Sequence, residues 1–240
     1  MSESDQATHP QVDVLAVGAH PDDVEINCGG TLLSLLSQGY RTAVADLTRG
    51  ELASRGTPQQ RNREAEQASS ILGLTFRANL ELPDGDIAVD ADSRLKLIRL
   101  IRDARPGLVL THSRFGHPDH GKTARLVEEA VHHAGLASLS TGQERHRPEK
   151  VAYWINYNQP LAPHFAVDVS DYYERKEEAI RAYRSQLGGH AGQPATYLSQ
   201  PDFLQRLRSF HSHLGSQSGC RYAEGFLFSR LPRIADLTQA

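Results

Sequence analysis

Two short stretches of this 240-residue chain concentrate groups that bind metals and move protons. AHPDDVEINCGGT holds His20, Asp22 and Asp23, and HSRFGHPDHG holds His117, Asp119 and His120. The spacings are His-x-x-Asp and His-x-x-His. Two imidazoles and one carboxylate leave a coordination position open for water, which a catalytic divalent site requires and a closed structural site lacks. Zinc is the first choice, and the same donors also hold iron(II) or other first-row metals. Two consecutive carboxylates after a strand can divide the work: Asp23 as ligand, and Asp22 as general base toward a water whose pKa a metal brings down to roughly 7. His117 would lie across the site from Asp22, where it could stabilise an oxyanion and donate a proton to a leaving amine. Asp119 would hold its other ring nitrogen. That chemistry is hydrolysis of an acyl–nitrogen bond.

A lone His-x-x-Asp is ordinarily a turn closed by Asx hydrogen bonds. The case for a site rests on two such clusters, each after an expected strand. GAHPDDVEINCGG also lacks GxGxxG spacing and puts carboxylates where a pyrophosphate needs backbone donors, which argues against a dinucleotide. Cys28 is expected to be a packed small side chain, and His132, His133, His211 and His213 surface or helix-face residues.

The elements that must position these loops follow from hydrophobic periodicity. Strands are expected at Val12–Val17, Thr42–Leu47, Leu74–Leu80 and Leu108–Thr111. Between and after them come helices at Thr31–Gln38, Pro58–Leu72 and Asp92–Ala104 and one carrying Ala124, Val127, Val131 and Ala134. Thr57 and Pro58 form a capped start and Gly73 a stop. This β-α alternation predicts an α/β, Rossmann-like three-layer fold with a mostly parallel sheet, because parallel neighbours need crossover connections. Strands at Val151–Tyr157 and His164–Val169, helices at Asp171–Gln186 and Asp202–Leu214, and a last edge strand at Gly225–Ser229 complete the body. The polar loop Thr48–Thr57 is too long for a mere connector and should border the site.

Composition narrows the classes. Apolar residues make up 39% and charged residues 23%, enough for one domain over 1–240 with residues 1–11 as a flexible tail. A net charge of -3 without basic blocks argues against nucleic acid or an anionic membrane as partner, and for a small polar ligand. Two distant cysteines, no apolar leader and no membrane-length apolar run fit a reduced, cytoplasmic protein.

AHPDDVEINCGGTL, LTRGE followed by RGT, HPDH and YAEGF together resemble the LmbE/PIG-L family of zinc-dependent N-deacetylases. DVEINCGGTL, LPDGDI, AYRSQ and YAEGF are most similar to its bacillithiol-synthesis branch, which removes acetate from N-acetylglucosaminyl malate. The resemblance implies His20, Asp23 and His120 as zinc ligands, Asp22 as base, His117 as acid or oxyanion partner, and a homo-oligomer. It further implies that Arg61 meets a malate carboxylate or sugar hydroxyl, against the alternative of an exposed helix charge. Some relatives have a tyrosine where Phe115 stands, so Tyr197, in the Leu187–Pro201 stretch that could form a lid, is the candidate replacement. Deacetylation of a chitooligosaccharide or another N-acylated glycoside is the alternative activity. A metal-dependent phosphoesterase and a non-catalytic metal-binding module are alternatives of another class; the phosphoesterase needs a third loaded loop, and none is expected.

Overall fold

Alternate residues of the first strand feed two separate cores, and this sets the layers. In the computed structural model, which describes residues 9–156, 158–159, 161–188 and 192–229, that strand is β1 (Val14–Gly18). Leu15 and Val17 join one apolar cluster; Val14 and Ala16 join the other. Both faces are covered, as a parallel sheet requires.

In chain order the elements are β1, α1 (Asp23–Ser37), β2 (Thr42–Asp46), α2 (Pro58–Leu72), β3 (Phe76–Asn79), α3 (Ala91–Ala104), β4 (Leu108–His112) and α4 (Pro118–Ala134). They are followed by β5 (Lys150–Trp154), β6 (Phe165–Asp168), a 3-10 turn at Ser170–Tyr172, α5 (Tyr173–Arg181), α6 (Phe203–Ser218) and β7 (Ala223–Phe228). The sheet order is β3-β2-β1-β4-β5-β7-β6; the first five strands are parallel, and β7 runs antiparallel to both its neighbours. α3 and α4 pack on one face through Leu97, Ile101, Leu126 and Val127. α1, α2 and α5 pack on the other through Leu32, Ala68, Leu72 and Ala179. Each fully buried leucine contributes about 2 kcal/mol of transfer free energy. α2 starts as expected: Thr57 Oγ1 accepts from the Gln60 amide at 3.1 Å with Pro58 at the first position, and Gly73 closes it in the left-handed region.

Four expectations are corrected. The helix expected to open at Thr31 begins at Asp23, so Gly29 and Gly30 lie inside it, and it kinks at Cys28, whose φ is -142°. The last strand is not an edge but is inserted between β5 and β6. The helix expected over Asp171–Gln186 ends at Arg181 because the chain turns there, bringing Ser185 onto the Glu64 carboxylate at 2.8 and 2.6 Å. His211 is buried, with Nδ1 3.1 Å from the Tyr173 hydroxyl. Of the expected 1–11 tail, residues 1–8 lie outside the described residues, while His9 stacks on Phe76 and the Val12 amide donates to Ala104. Tyr157, the expected end of a strand, also lies outside them. Among the described residues, no helix is long and apolar enough to cross a membrane.

Candidate active site

β1 and β4 are parallel neighbours, but the chain leaves them for opposite faces, to α1 and α4 respectively. The divergence opens a crevice at their carboxyl ends, where open α/β sheets place ligands. His20–Asp23 leave β1 at this point and His117–His120 follow β4, so strand order brings together two motifs that are far apart in sequence.

One ligand atom each from His20, Asp23 and His120 lie within 4.8 Å of one another. The Asp23 carboxylate stands between the rings, with Oδ2 3.4 Å from His20 Nδ1 and Oδ1 3.3 Å from His120 Nε2. Asp23 occupies the first turn of α1, where the helix dipole favours a carboxylate. Although burial opposes its charge, His120 and His112 hold its pKa well below the usual range. On the far side of His20, Nε2 meets Asp84 Oδ1 at 3.0 Å and Asp119 Oδ2 at 3.5 Å. Burial works against the imidazolium, but Asp119, Asp23 and Asp84 outweigh it and raise His20 to about 12. Asp119 Oδ1 is buried without a hydrogen-bond partner, a charge that a cation in the crevice would offset. The donor set and this surplus of carboxylate both fit a divalent metal.

His20, His117 and Asp119 form a second group within the same distance, but the His117 tautomer argues against it. The Asp119 backbone N–H donates to His117 Nδ1 at 3.3 Å, so neutral His117 carries its proton on Nε2 and has no lone pair there for a metal. Burial, with the neighbouring His120 and His20, lowers its pKa and favours this neutral form. The expected bond from the Asp119 carboxylate to His117 is therefore corrected. The backbone of residue 119 orients His117, and its carboxylate, also accepting from the Gly85 amide at 2.8 Å, orients His20.

Asp22 caps α1 with φ 115°, a conformation that costs a non-glycine residue energy and that surrounding contacts must enforce. Arg61 supplies them: Nη2 donates to Asp22 Oδ2 at 2.7 Å and, with Nε, to the Pro21 carbonyl at 2.8 and 3.1 Å. This corrects the exposed-charge alternative for Arg61, which is buried and spends its guanidinium on the Asp22 segment. Gly50 makes room for it, since a Cβ there would stand 3.0 Å from Arg61 Nη1, and its φ is 65°. Burial raises the Asp22 pKa, Arg61 opposes the rise, and the balance is about 7.

His20, Asp22, Asp23, His117 and His120 open into one cavity of about 660 Å³, bordered by Leu52–Ser54 of the expected loop. Tyr197 lines it as well; Phe115 is 55% exposed beside the lining residue Gly116. Sequence reasoning missed three residues. Asp84 belongs to ELPDGDI, which is the third loaded loop that was not expected; its position after β3 was the available signal. Both its oxygens are engaged, one by His20 and one by the Leu52 amide at 2.8 Å. His112 ends β4 just before the second motif, and Trp154 ends β5 beside it.

Residues 15–131 match the PIG-L family, described as GlcNAc-PI de-N-acetylase. The chain is also 31% identical to a diacetylchitobiose deacetylase of Thermococcus kodakarensis over 90% of its own length and 82% of the relative's. The chain belongs to the PIG-L family. A second relative, a probable N-acetyl-alpha-D-glucosaminyl L-malate deacetylase 2 of Bacillus anthracis, is 28% identical over 72% of this chain and 81% of its own. The crystal structure of the conserved protein TT1542 from Thermus thermophilus superposes with a TM-score of 0.85 at 38% identity, covering 95% of this chain and 98% of that one.

Proposed function

We propose that the protein is a metal-dependent amidohydrolase that removes the N-acetyl group from an N-acetylglucosamine conjugate. The observation that carries this reading is that Asp22, buried and balanced near neutrality, and the neutral donor His117 line one cavity with the His20–Asp23–His120 set. Zinc is the metal we assign, and the donors also accept iron(II). A divalent ion held there supplies Lewis-acid polarisation of the amide carbonyl and a lowered pKa for water. Asp22 takes the proton of the attacking water; at a pKa of about 7 it is substantially ionised at neutral pH yet basic enough to accept it. His117 Nε2–H donates to the developing oxyanion, and the Asp119 amide holds the ring in that tautomer. The proton gathered on Asp22 then passes to the leaving amine.

The cavity favours an uncharged aglycone. Beyond the histidines of the assigned metal site, its one cationic side chain among the described lining residues is Arg61, which Asp22 and Pro21 engage, while Asn156 and Asn158 add uncharged amides suited to sugar hydroxyls. A neutral glycoside such as diacetylchitobiose, the substrate in the name of the Thermococcus relative, fits that lining. The malate conjugate is the second reading, supported by the Bacillus relative and by the LPDGDI and YAEGF motifs. Acetate release from diacetylchitobiose, N-acetylglucosaminyl malate and free N-acetylglucosamine, with Asp22→Ala and chelated protein as controls, tests both. Faster turnover of the malate conjugate would reverse the order of the two aglycones, and no acetate from any of them would refute the deacetylase assignment.

A further inference from the structure

His112 makes no contribution to the chemistry above, yet it touches two of the three assigned metal ligands. Its Nε2 lies 3.2 Å from Asp23 Oδ2, and its ring stacks on that of His120 with centroids 3.9 Å apart and planes 18° from parallel. On the other side, Trp154 Nε1 donates to His112 Nδ1 at 3.2 Å, and the indole packs edge-on against the imidazole. His112 and Trp154 are both buried.

An indole nitrogen can only donate, so Nδ1 of His112 must be the acceptor and the proton of the neutral ring must sit on Nε2. There it faces the Asp23 carboxylate. The opposite tautomer would set donor against donor at Trp154 and lone pair against lone pair at Asp23. The Ala19 backbone N–H also lies 3.2 Å from Nε2 and is the one neighbour this tautomer leaves unserved. Parallel register puts His112 opposite Trp154 at the ends of β4 and β5, so the sheet itself aligns indole, imidazole and carboxylate.

We propose that Trp154 and His112 form a positioning pair for the metal centre: the indole fixes the His112 tautomer, and His112 then orients the Asp23 carboxylate by hydrogen bond and the His120 ring by stacking. This inference rests on the His20–Asp23–His120 reading of the metal site. Groups that hydrogen-bond to metal ligands from outside typically govern affinity by about 10- to 100-fold. Trp154→Phe keeps an aromatic ring in the core and deletes the N–H donor, and the cavity left by the smaller ring is read out separately by the zinc-free thermal midpoint. His112→Gln keeps a side-chain N–H able to reach Asp23, whereas His112→Leu keeps bulk without a donor.

The test is zinc affinity by competition with a chromophoric chelator, with the thermal midpoint of each zinc-free variant recorded alongside. The expected result is weaker zinc binding by about tenfold or more in Trp154→Phe and His112→Leu, with partial recovery in His112→Gln. A purely structural role would lower the zinc-free midpoint in proportion and give no recovery with glutamine, and would overturn the proposal. So would affinities within twofold of the parent protein in both Trp154→Phe and His112→Leu. His20→Ala separates the two levels of inference: if it binds zinc as well as the parent does, the metal site itself is wrong and the positioning pair falls with it. If His20→Ala alone loses zinc, the metal site stands and only the positioning pair is refuted.

Discussion

Arg61 Nη2 sits 2.7 Å from Asp22 Oδ2, and this ion pair holds down the pKa of the proposed base. Burial alone would drive Asp22 well into its protonated form, and Arg61 is the largest influence opposing it. Removing the guanidinium in Arg61→Gln therefore raises the Asp22 pKa. Because the base acts in its ionised form, the acid limb of the kcat–pH profile moves to higher pH, by about one to three units. Activity at pH 7 falls and recovers as pH rises. A limb that stays in place with kcat uniformly reduced would show that Arg61 serves by shape alone.

The roles proposed for Asp22 and His117 separate from those proposed for the metal ligands by their kinetics. Asp22→Asn should lower kcat by about 10²- to 10⁴-fold with zinc content unchanged. His117→Ala should lower kcat by about 10²- to 10³-fold, the usual loss for one oxyanion donor, again with zinc retained. His120→Ala should lose zinc and activity together. Metal analysis of each purified variant beside its acetate-release rate distinguishes these outcomes, and zinc loss in His117→Ala would move His117 into the ligand set.

If His20 is a metal ligand as proposed, the carboxylates around it make metal uptake a proton-releasing event. With its pKa raised to about 12, His20 is an imidazolium at neutral pH in the absence of metal. A lone pair on Nδ1, the nitrogen facing Asp23, becomes available only when a proton leaves. Apparent zinc affinity should thus rise by up to about tenfold per pH unit across pH 6–8, with at least one proton released per ion. Calorimetry in buffers of different ionisation enthalpy measures that proton directly. Chelation should abolish activity, and added zinc should restore it faster at pH 8 than at pH 6.

The parallel sheet and both chemical loops were legible because their signals are local: apolar runs, caps such as Thr57, and clustered histidines and aspartates after strands. Asp84, His112 and Trp154 were less so: Asp84 offered only its position after β3, and each acquires its role from a group that a different part of the chain brings beside it. Arg61 shows a similar limit. A helix position gives the direction of a side chain, but only the close approach that Gly50 permits brings its guanidinium onto Asp22. The early start of α1 was hidden for a related reason. A Gly-Gly pair ordinarily interrupts a helix, and the group that sustains this one comes from the other end of the chain.

That group is Glu224 of β7, which holds the kink in α1. Its carboxylate accepts from the Gly30 amide at 3.0 Å, the Thr31 amide at 2.7 Å and the Thr31 hydroxyl at 2.6 Å, and pairs with Lys176 Nζ of α5 at 2.6 Å. Gly30 has to be glycine here, because a Cβ would fall 2.8 Å from Val169. Lys176 and Glu224 are both fully buried, and burial pushes the Lys176 pKa down against the pull of Glu224. Glu224→Gln preserves shape but strands the ammonium without its counter-charge, at a cost of about 3–5 kcal/mol. Lys176→Met alone strands the carboxylate, although Gly30 and Thr31 continue to solvate it, so its cost should be smaller. The double variant Lys176→Met/Glu224→Gln should be more stable than Glu224→Gln alone, since it buries no unpaired charge. Urea denaturation of the three variants checks the order, and a double variant as unstable as the sum of the singles would show that the two residues act independently.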